Sequence, residues 1–353
     1  MDHFFDVFKR QTLSNSERES IKTRIRLFMA AHPPRIPWYI RFADGTLSTM
    51  HAADSRKLFG LPVQSLAFAF ALVLCIGVGT TYASEAALPG DVLYPVKIHV
   101  RERVQGALAV GVENKVQWSA TLTTRRLEEA ESLAAQGRLT PAVSAEIESQ
   151  INTSAENFNE HVAALAKNPG NDALVANAQS NLEASLNAHE NVLMVLADQS
   201  SSTEIAIASV LSNVRVHKMR TKDARTKAEA VLTAQDSQRV ENVARQKKQI
   251  AEGKVQAIRV AAEKSAKKLE TDATGDTAAR TAVVVETIAT TTASTGVHEV
   301  TDAERDLRQA DEKMNAGDYG KAFEIYQAAI RAADVTRLEL DATARLRSEM
   351  END

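Results

Sequence analysis

The chain has little of what ties a small fold together covalently or through metals. Cys75 is its one cysteine in 353 residues, so an internal disulfide framework and any multi-cysteine zinc or iron–sulfur centre are excluded. Aromatic side chains make up only 5%, against 57 alanines. That excludes a core built on large rings. Of eight prolines none follows Pro169, so the last 184 residues lack the side chain that most firmly breaks a helix. There is no excess of positive charge either: 42 basic against 46 acidic residues give −4, and no nucleic-acid partner is expected. Charge is missing altogether from residues 58–84, a run of 27 in a sequence that is 25% charged.

That run reads LFGLPVQSLAFAFALVLCIGVGTTYAS, and from Leu61 to Ala83 its only strongly polar side chain is Gln64. Twenty-three residues at about 1.5 Å each cross a hydrocarbon layer of roughly 30 Å with some tilt. A lone segment in lipid must satisfy its own backbone, which a helix does, whereas a buried helix of a soluble domain keeps a polar stripe. Thr81-Tyr82-Ala83 resembles a secretory cleavage site, but 57 residues precede the run and it exceeds the usual apolar length of a signal peptide. A retained transmembrane helix is expected, with the lipid bilayer as partner. Residues 1–57 hold 10 basic and 6 acidic side chains, and residues 85–353 hold 32 and 40. With Arg56 and Lys57 before the span and Lys97 beyond it, the positive-inside rule puts the N-terminus in the cytoplasm and the remainder outside the plasma membrane.

Within the cytoplasmic region 1–57, the stretch 14–31 (SNSERESIKTRIRLFMAA) has the spacing of one amphipathic helix. Ser14 and Glu17 suit a capping box, Pro33 and Pro34 end the pattern, and Ile21, Ile25, Phe28 and Met29 share one face. Three readings stay open: a face docking into a protein partner, a helix lying on the anionic inner leaflet, and a plain tether. Too short for a good core of its own, the segment points to the partner or the membrane.

Beyond the span comes Leu88-Pro89-Gly90-Asp91-Val92-Leu93-Tyr94-Pro95-Val96-Lys97. Pro-Gly predicts a type II turn, Pro95 suits the start of a helix, and Val100, Val104, Ala107 and Leu108 continue a helical stripe. LPGDVLYPVK, followed by a helix and by TRRLEEAESLAAQGRL (124–139), resembles a bacterial family of unknown function: an extracytoplasmic helical domain directly behind a single transmembrane helix. The resemblance covers roughly residues 12–200, with Leu88, Pro89, Gly90, Asp91, Leu93, Tyr94, Pro95 and Lys97 as its motif. In layout the chain is also similar to membrane-bound anti-sigma factors. Their zinc-binding class carries a histidine with a cysteine pair in the cytoplasmic part. Here His3, His32 and His51 have no cysteine beside them, so that zinc mode is not implied. The resemblance implies architecture rather than chemistry.

Ile147, Ile151, Ala155, Phe158, Val162 and Leu165 form one stripe, and Val175, Ala178, Leu182, Leu186, Leu193 and Leu196 a second. Across the Asn168-Pro169-Gly170-Asn171 turn they predict an antiparallel hairpin, and with a first helix over 93–136 a three-helix bundle within 85–200. Residues 201–270 hold 15 basic against 8 acidic side chains and a thin apolar stripe, so the region 201–272 predicts a long, poorly buried basic helix or helices. Its charge fits either a solvated face or attraction to an anionic surface, and thin stripes leave room for a homo-oligomer. Eight threonines within 273–298 predict a linker over 273–300. Residues 301–353 predict a helical hairpin in which Ala310, Gly317, Asp318, Tyr319, Ala322, Tyr326 and Ala329 resemble a single tetratricopeptide unit. One copy needs something to dock on.

Candidate chemistry is sparse. His189 falls in the second stripe and His161 beside the first. In the hairpin expected, they sit about 16 Å apart along the axis, too far for one metal with ligands near ~2 Å. Glu128, Glu129 and Glu131 read as solubilising charge. Cys75 and Gly77-Val78-Gly79 lie within the span, and no G-x-S-x-G, phosphate loop or H-E-x-x-H occurs. The expectation is an all-α protein: one transmembrane helix, then an extracytoplasmic bundle with long helices and a C-terminal hairpin. It is expected to act as a non-catalytic scaffold or sensor without a cofactor, or as an anti-sigma-like regulator whose cytoplasmic helix binds a transcription factor.

Overall fold

A computed structural model describes residues 84–199, 202–272 and 280–351, together with Thr23. The uncharged run, save Ser84, and the stretch bearing Ile21, Ile25, Phe28 and Met29 lie outside the described residues. Among those described, no helix is long and apolar enough to cross a membrane.

The described residues are helical, and no strand occurs among them. Tyr94–Val96, Lys97–Arg101 and Glu102–Leu108 run on as one helix, α1, whose middle section is a π-helix. Then follow α2 (Val112–Ala135), α3 (Pro141–Ala166), α4 (Asp172–Gln199), α5 (Glu204–Thr233), α6 (Ser237–Asp272), α7 (Arg280–Asn315) and α8 (Tyr319–Glu351).

Local chemistry sets the breaks. After α2, Gly137 takes φ +68°, its amide reaches the Ala134 carbonyl, and Arg138 N–H reaches that of Leu133. This left-handed closure satisfies the orphan carbonyls of the helix end, and the same pattern recurs at Gly317. Thr140 caps α3 by accepting from the Val143 amide, with Pro141 in the first turn. The basic region 201–272 is two helices: Ala234–Asp236 interrupt it, and an Asp236 carboxylate oxygen accepts from Gln238 N–H at the start of α6.

Helices α2 to α5 form a four-helix bundle around Leu127, Ile147, Phe158, Leu186, Leu193 and Ile207. The bundle expected to end near residue 200 therefore takes α5 as a fourth member. α2 runs antiparallel to α3, with Thr123 meeting Ser154 and Ser119 meeting His161, and α5 returns along α4. The hairpin expected of α3 and α4 is not formed side by side; these two make little direct contact, and each packs on α2 and α5 instead. Their stripes point to a common centre, which is the geometry of a diagonal pair.

Helices α6, α7 and α8 form a second lobe around Val255, Ile258, Ala303, Tyr326, Ala329 and Ile330. The stripe expected to be poorly buried is largely covered: Ile207, Val210, Val214, Val240 and Ile258 are buried, Val243 is half-buried and Ile250 alone is exposed. Alanines complete it, since Ala244, Ala251 and Ala262 let neighbouring helices approach closely. The expected linker is also helical from Arg280 onward, because α7 runs without a break into its packed part, Val300–Asn315. Extension of an existing helix costs far less than nucleation, so threonine's weak propensity is overcome. The tetratricopeptide-like hairpin docks through α8 on α6 and α4. Small contacts join the lobes: Phe323 with Ala176, Leu232 and Ala244, and Val335 with Ala184 and Ala188.

Candidate functional site

The LPGD-x-LYPVK element folds back on itself before α1 begins. Asp91 N–H donates to the Leu88 carbonyl at 2.9 Å, and Gly90 at the third turn position has φ +96°, as a type II turn requires. The Asp91 carboxylate accepts from Leu88 N–H at 2.8 Å and from Arg138 at 2.6 Å. Burial alone would raise the pKa of Asp91, but these two donors hold it below the usual carboxylate value. Leu88 is half-buried against the bundle core. Pro89 is buried, Gly90 and Pro95 are exposed, and Leu93 is half-buried.

Tyr94 and Lys97 then enter the body. The Lys97 ammonium reaches Glu129 Oε1 at 2.6 Å and the Ala87 carbonyl at 3.0 Å, with both side chains buried. Arg126 binds Glu129 through Nη1 at 2.6 Å and Glu102 through Nη2. The Tyr94 hydroxyl accepts from Arg126 Nη1 at 2.9 Å and shares its proton between Glu129 Oε2 and Gln150 Oε1, each 3.0 Å away. Burial, together with the Glu129 charge, pushes the Tyr94 phenol far above its ordinary value, so it stays protonated. For Arg126, burial opposes the charge, but Glu129, Tyr94 and Glu102 outweigh it and raise its pKa.

The π-turn makes this possible. Lys97 and Glu102 are five apart, a spacing an α-helix would splay by about 140°, yet both are buried on the inner face. The wider turn, closed by Glu102 N–H on the Lys97 carbonyl, brings them together. Such insertions are often found at functional positions.

A second polar centre lies where α8 meets the bundle. Glu131 is fully buried; its Oε1 lies 2.6 Å from His189 Nδ1, and its Oε2 accepts from Arg345. His189 Nε2 is buried and has no hydrogen-bond partner among the described residues. Nearby, Glu339 accepts from Asn191 Nδ2 at 2.7 Å. Burial, reinforced by Glu299 and Glu131, pushes its carboxyl up to about 7 despite that hydrogen bond. A cleft of about 210 Å³ connects the two centres, lined among others by Lys97, Glu129, Arg345 and Glu349.

One sequence expectation is corrected here. Glu129 and Glu131 are not solubilising charges but the buried anions of these centres; Glu128 alone of the three faces the surface side, near Arg345. The signal was present, because Glu131 lies at i+4 from Leu127 and i−3 from Ala134, on the core face. Arg126, Glu102 and Gln150 carried no comparable signal, since each reaches across to a distant segment. His189 is a hydrogen-bonded core histidine, and His161 binds Ser119. Their partners stand twelve residues apart on α2, about 18 Å, so the two imidazoles do not meet. Among the described residues, no group of three or more histidine, cysteine, aspartate or glutamate side chains is placed to hold a metal.

No curated protein and no solved structure matches this chain. Residues 86–316, from just before the Leu88 turn to the end of α7, match the family model described as a domain of unknown function, DUF5667. The chain that carries the Tyr94–Lys97 clasp therefore belongs to the DUF5667 family.

Proposed function

We propose that this is a single-pass membrane protein with a cytoplasmic N-terminus and an external helical body, acting by interaction, as a scaffold or sensor, rather than by turnover. The observation that carries this reading is the clasp. The uncharged run ends at Ser84, and within 13 residues Lys97 is buried on Glu129. A span ending at Ser84 would be joined to the bundle by a short segment that Lys97 staples to Glu129. The polar groups of the two centres spend their hydrogen bonds largely on one another, which favours a structural over a catalytic use.

Protease treatment of intact cells tests the arrangement. Tags placed at the two termini should differ, the C-terminal one being digested and the N-terminal one protected. Protection of both tags, or loss of both, refutes it.

The Ile21, Ile25, Phe28 and Met29 face supports a second reading, in which the cytoplasmic helix sequesters a transcription factor as an anti-sigma factor does. Ile25→Asp with Phe28→Asp should abolish capture of that factor by the full chain. If capture of a cytoplasmic protein is absent from the unaltered chain as well, the regulator reading fails and the search moves to the external helices.

A further inference from the structure

A helix on the surface of a folded body normally turns its apolar stripe inward. α1 does the opposite. Its charged side chains Lys97 and Glu102 are buried against Arg126 and Glu129, while Val100, Val104 and Leu108, at i, i+4 and i+8, are 47, 52 and 57% exposed. Val92, in the turn before the helix, is 93% exposed. The inversion is built in: a Cβ on Gly106 would stand 2.8 Å from Trp118 Nε1, so the inner face fits closely over α2, and the ion network fixes the rotation of the helix. What remains outside is an apolar ridge that the described residues leave uncovered.

We propose that this ridge is a membrane-docking surface, seating the external body on a bilayer with anionic headgroups. Resting on the proposed transmembrane anchor, it draws on two observations. The first is distance. Seven residues separate the end of the uncharged run from Val92, eight steps with a reach of at most about 28 Å even if fully extended, and the segment is instead folded into turns. Chain length therefore holds Val92 within that reach of the end of the proposed span. The second is charge. Between Val92 and Val112 the only acidic residue is Glu102, and it is buried, whereas His99 and Arg103 are exposed beside the ridge. The nearest exposed acid on that side, Glu85, is paired with Arg101, so an apolar stripe with basic side chains beside it remains, which the interface of an anionic leaflet accepts. Half-buried Trp118, with Arg125 stacked over its ring at 5.2 Å, lies directly behind, and tryptophan favours that same depth.

Spin labelling of the full chain in vesicles of phosphatidylethanolamine and phosphatidylglycerol tests this. In a Cys75→Ser background, Val100→Cys, Val104→Cys and Leu108→Cys each carry a nitroxide. Met219→Cys, exposed on α5, serves as the water reference, and Leu72→Cys reports on the anchor. Collision with oxygen relative to a water-soluble nickel chelate should be several-fold higher at the three α1 positions than at Met219→Cys. Readings equal to Met219→Cys overturn the docking surface. Shielding from both reagents, with dipolar broadening between copies, also overturns it, in favour of self-association. The Leu72→Cys reading is independent: lipid-like there and water-like on α1 retains the anchor and removes the docking, while the reverse retains the docking and removes the anchor. Vesicles of phosphatidylcholine alone should lower the α1 ratio, and an equal ratio overturns the role given to His99 and Arg103.

Discussion

Lys97→Met removes one charge from a site whose balance is legible in the structure. Lys97 and Arg126 face Glu102 and Glu129, two cations and two anions, all buried. Without the ammonium, the one fully buried guanidinium, Arg126, must serve both carboxylates, with half-buried Arg125 only at 3.9 Å from Glu102, so the buried site carries a negative charge in excess. Removing one partner of a buried pair costs about 3–5 kcal/mol; the lower end applies here because Arg126 and the Tyr94 hydroxyl still reach Glu129. Glu129→Gln leaves the opposite imbalance, two cations on Glu102, at similar cost. Lys97→Met with Glu129→Gln restores neutrality as Arg126 on Glu102, so the double variant should be less destabilised than the sum of the singles by about 2 kcal/mol. Amide hydrogen exchange of the full chain in detergent reads this locally. A loss of about 3 kcal/mol speeds exchange across Tyr94–Leu108 on the order of a hundredfold, and the double variant should recover much of that protection. Strict additivity of the three variants would refute the view that α1 is held by one charge-balanced network.

Gly90→Ala meets no atom within 4 Å, but φ is +96°, so the backbone alone should cost about 1–2 kcal/mol, measurable as a lowered thermal midpoint. Phe323→Ala opens a hole at the joint of the lobes between Ala176, Leu232 and Ala244. It should cost about 3–5 kcal/mol and expose the α8 backbone to exchange before that of α3. Glu339 has a native pKa of about 7 against an ordinary 4.5, so between those values the native state holds a proton that the unfolded chain does not. Stability should therefore rise as pH falls from about 7 to about 4.5, by up to about 3 kcal/mol. Urea unfolding followed across that range should show the slope in the natural chain and lose it in Glu339→Gln.

The helical class was legible because the stripes of α3 and α4 follow the 3.6 period without interruption, and those of α5 and α6 more thinly. Their partners were not, since a stripe says which face is buried and not against what. The short turn at Pro169 suggested neighbours, yet α2 and α5 supply the facing surfaces. The turn at Gly90 and the capped start of α3 were local and could be read from a few residues. The clasp was half legible: Tyr94 and Lys97 stood out in the motif, while Glu129 looked like surface charge because sequence alone does not tell a paired buried carboxylate from a solvated one. The stripe of Val100, Val104 and Leu108 was visible as a stripe, but not that it faces outward, since the opposite polar face has buried partners that only the fold reveals.

Arg345 reaches Glu131 across 214 residues of chain, which gives the molecule a timetable. At a synthesis rate of about 5–20 residues per second, the carboxylate of Glu131 emerges roughly 10–40 seconds before its guanidinium. Through that interval the α2–α5 bundle lacks Ala342 and Leu346 from its core, and the α6–α7 pair lacks the helix that faces both. Completion of either lobe thus waits on α8, so a chain truncated before α8 would leave two unfinished cores.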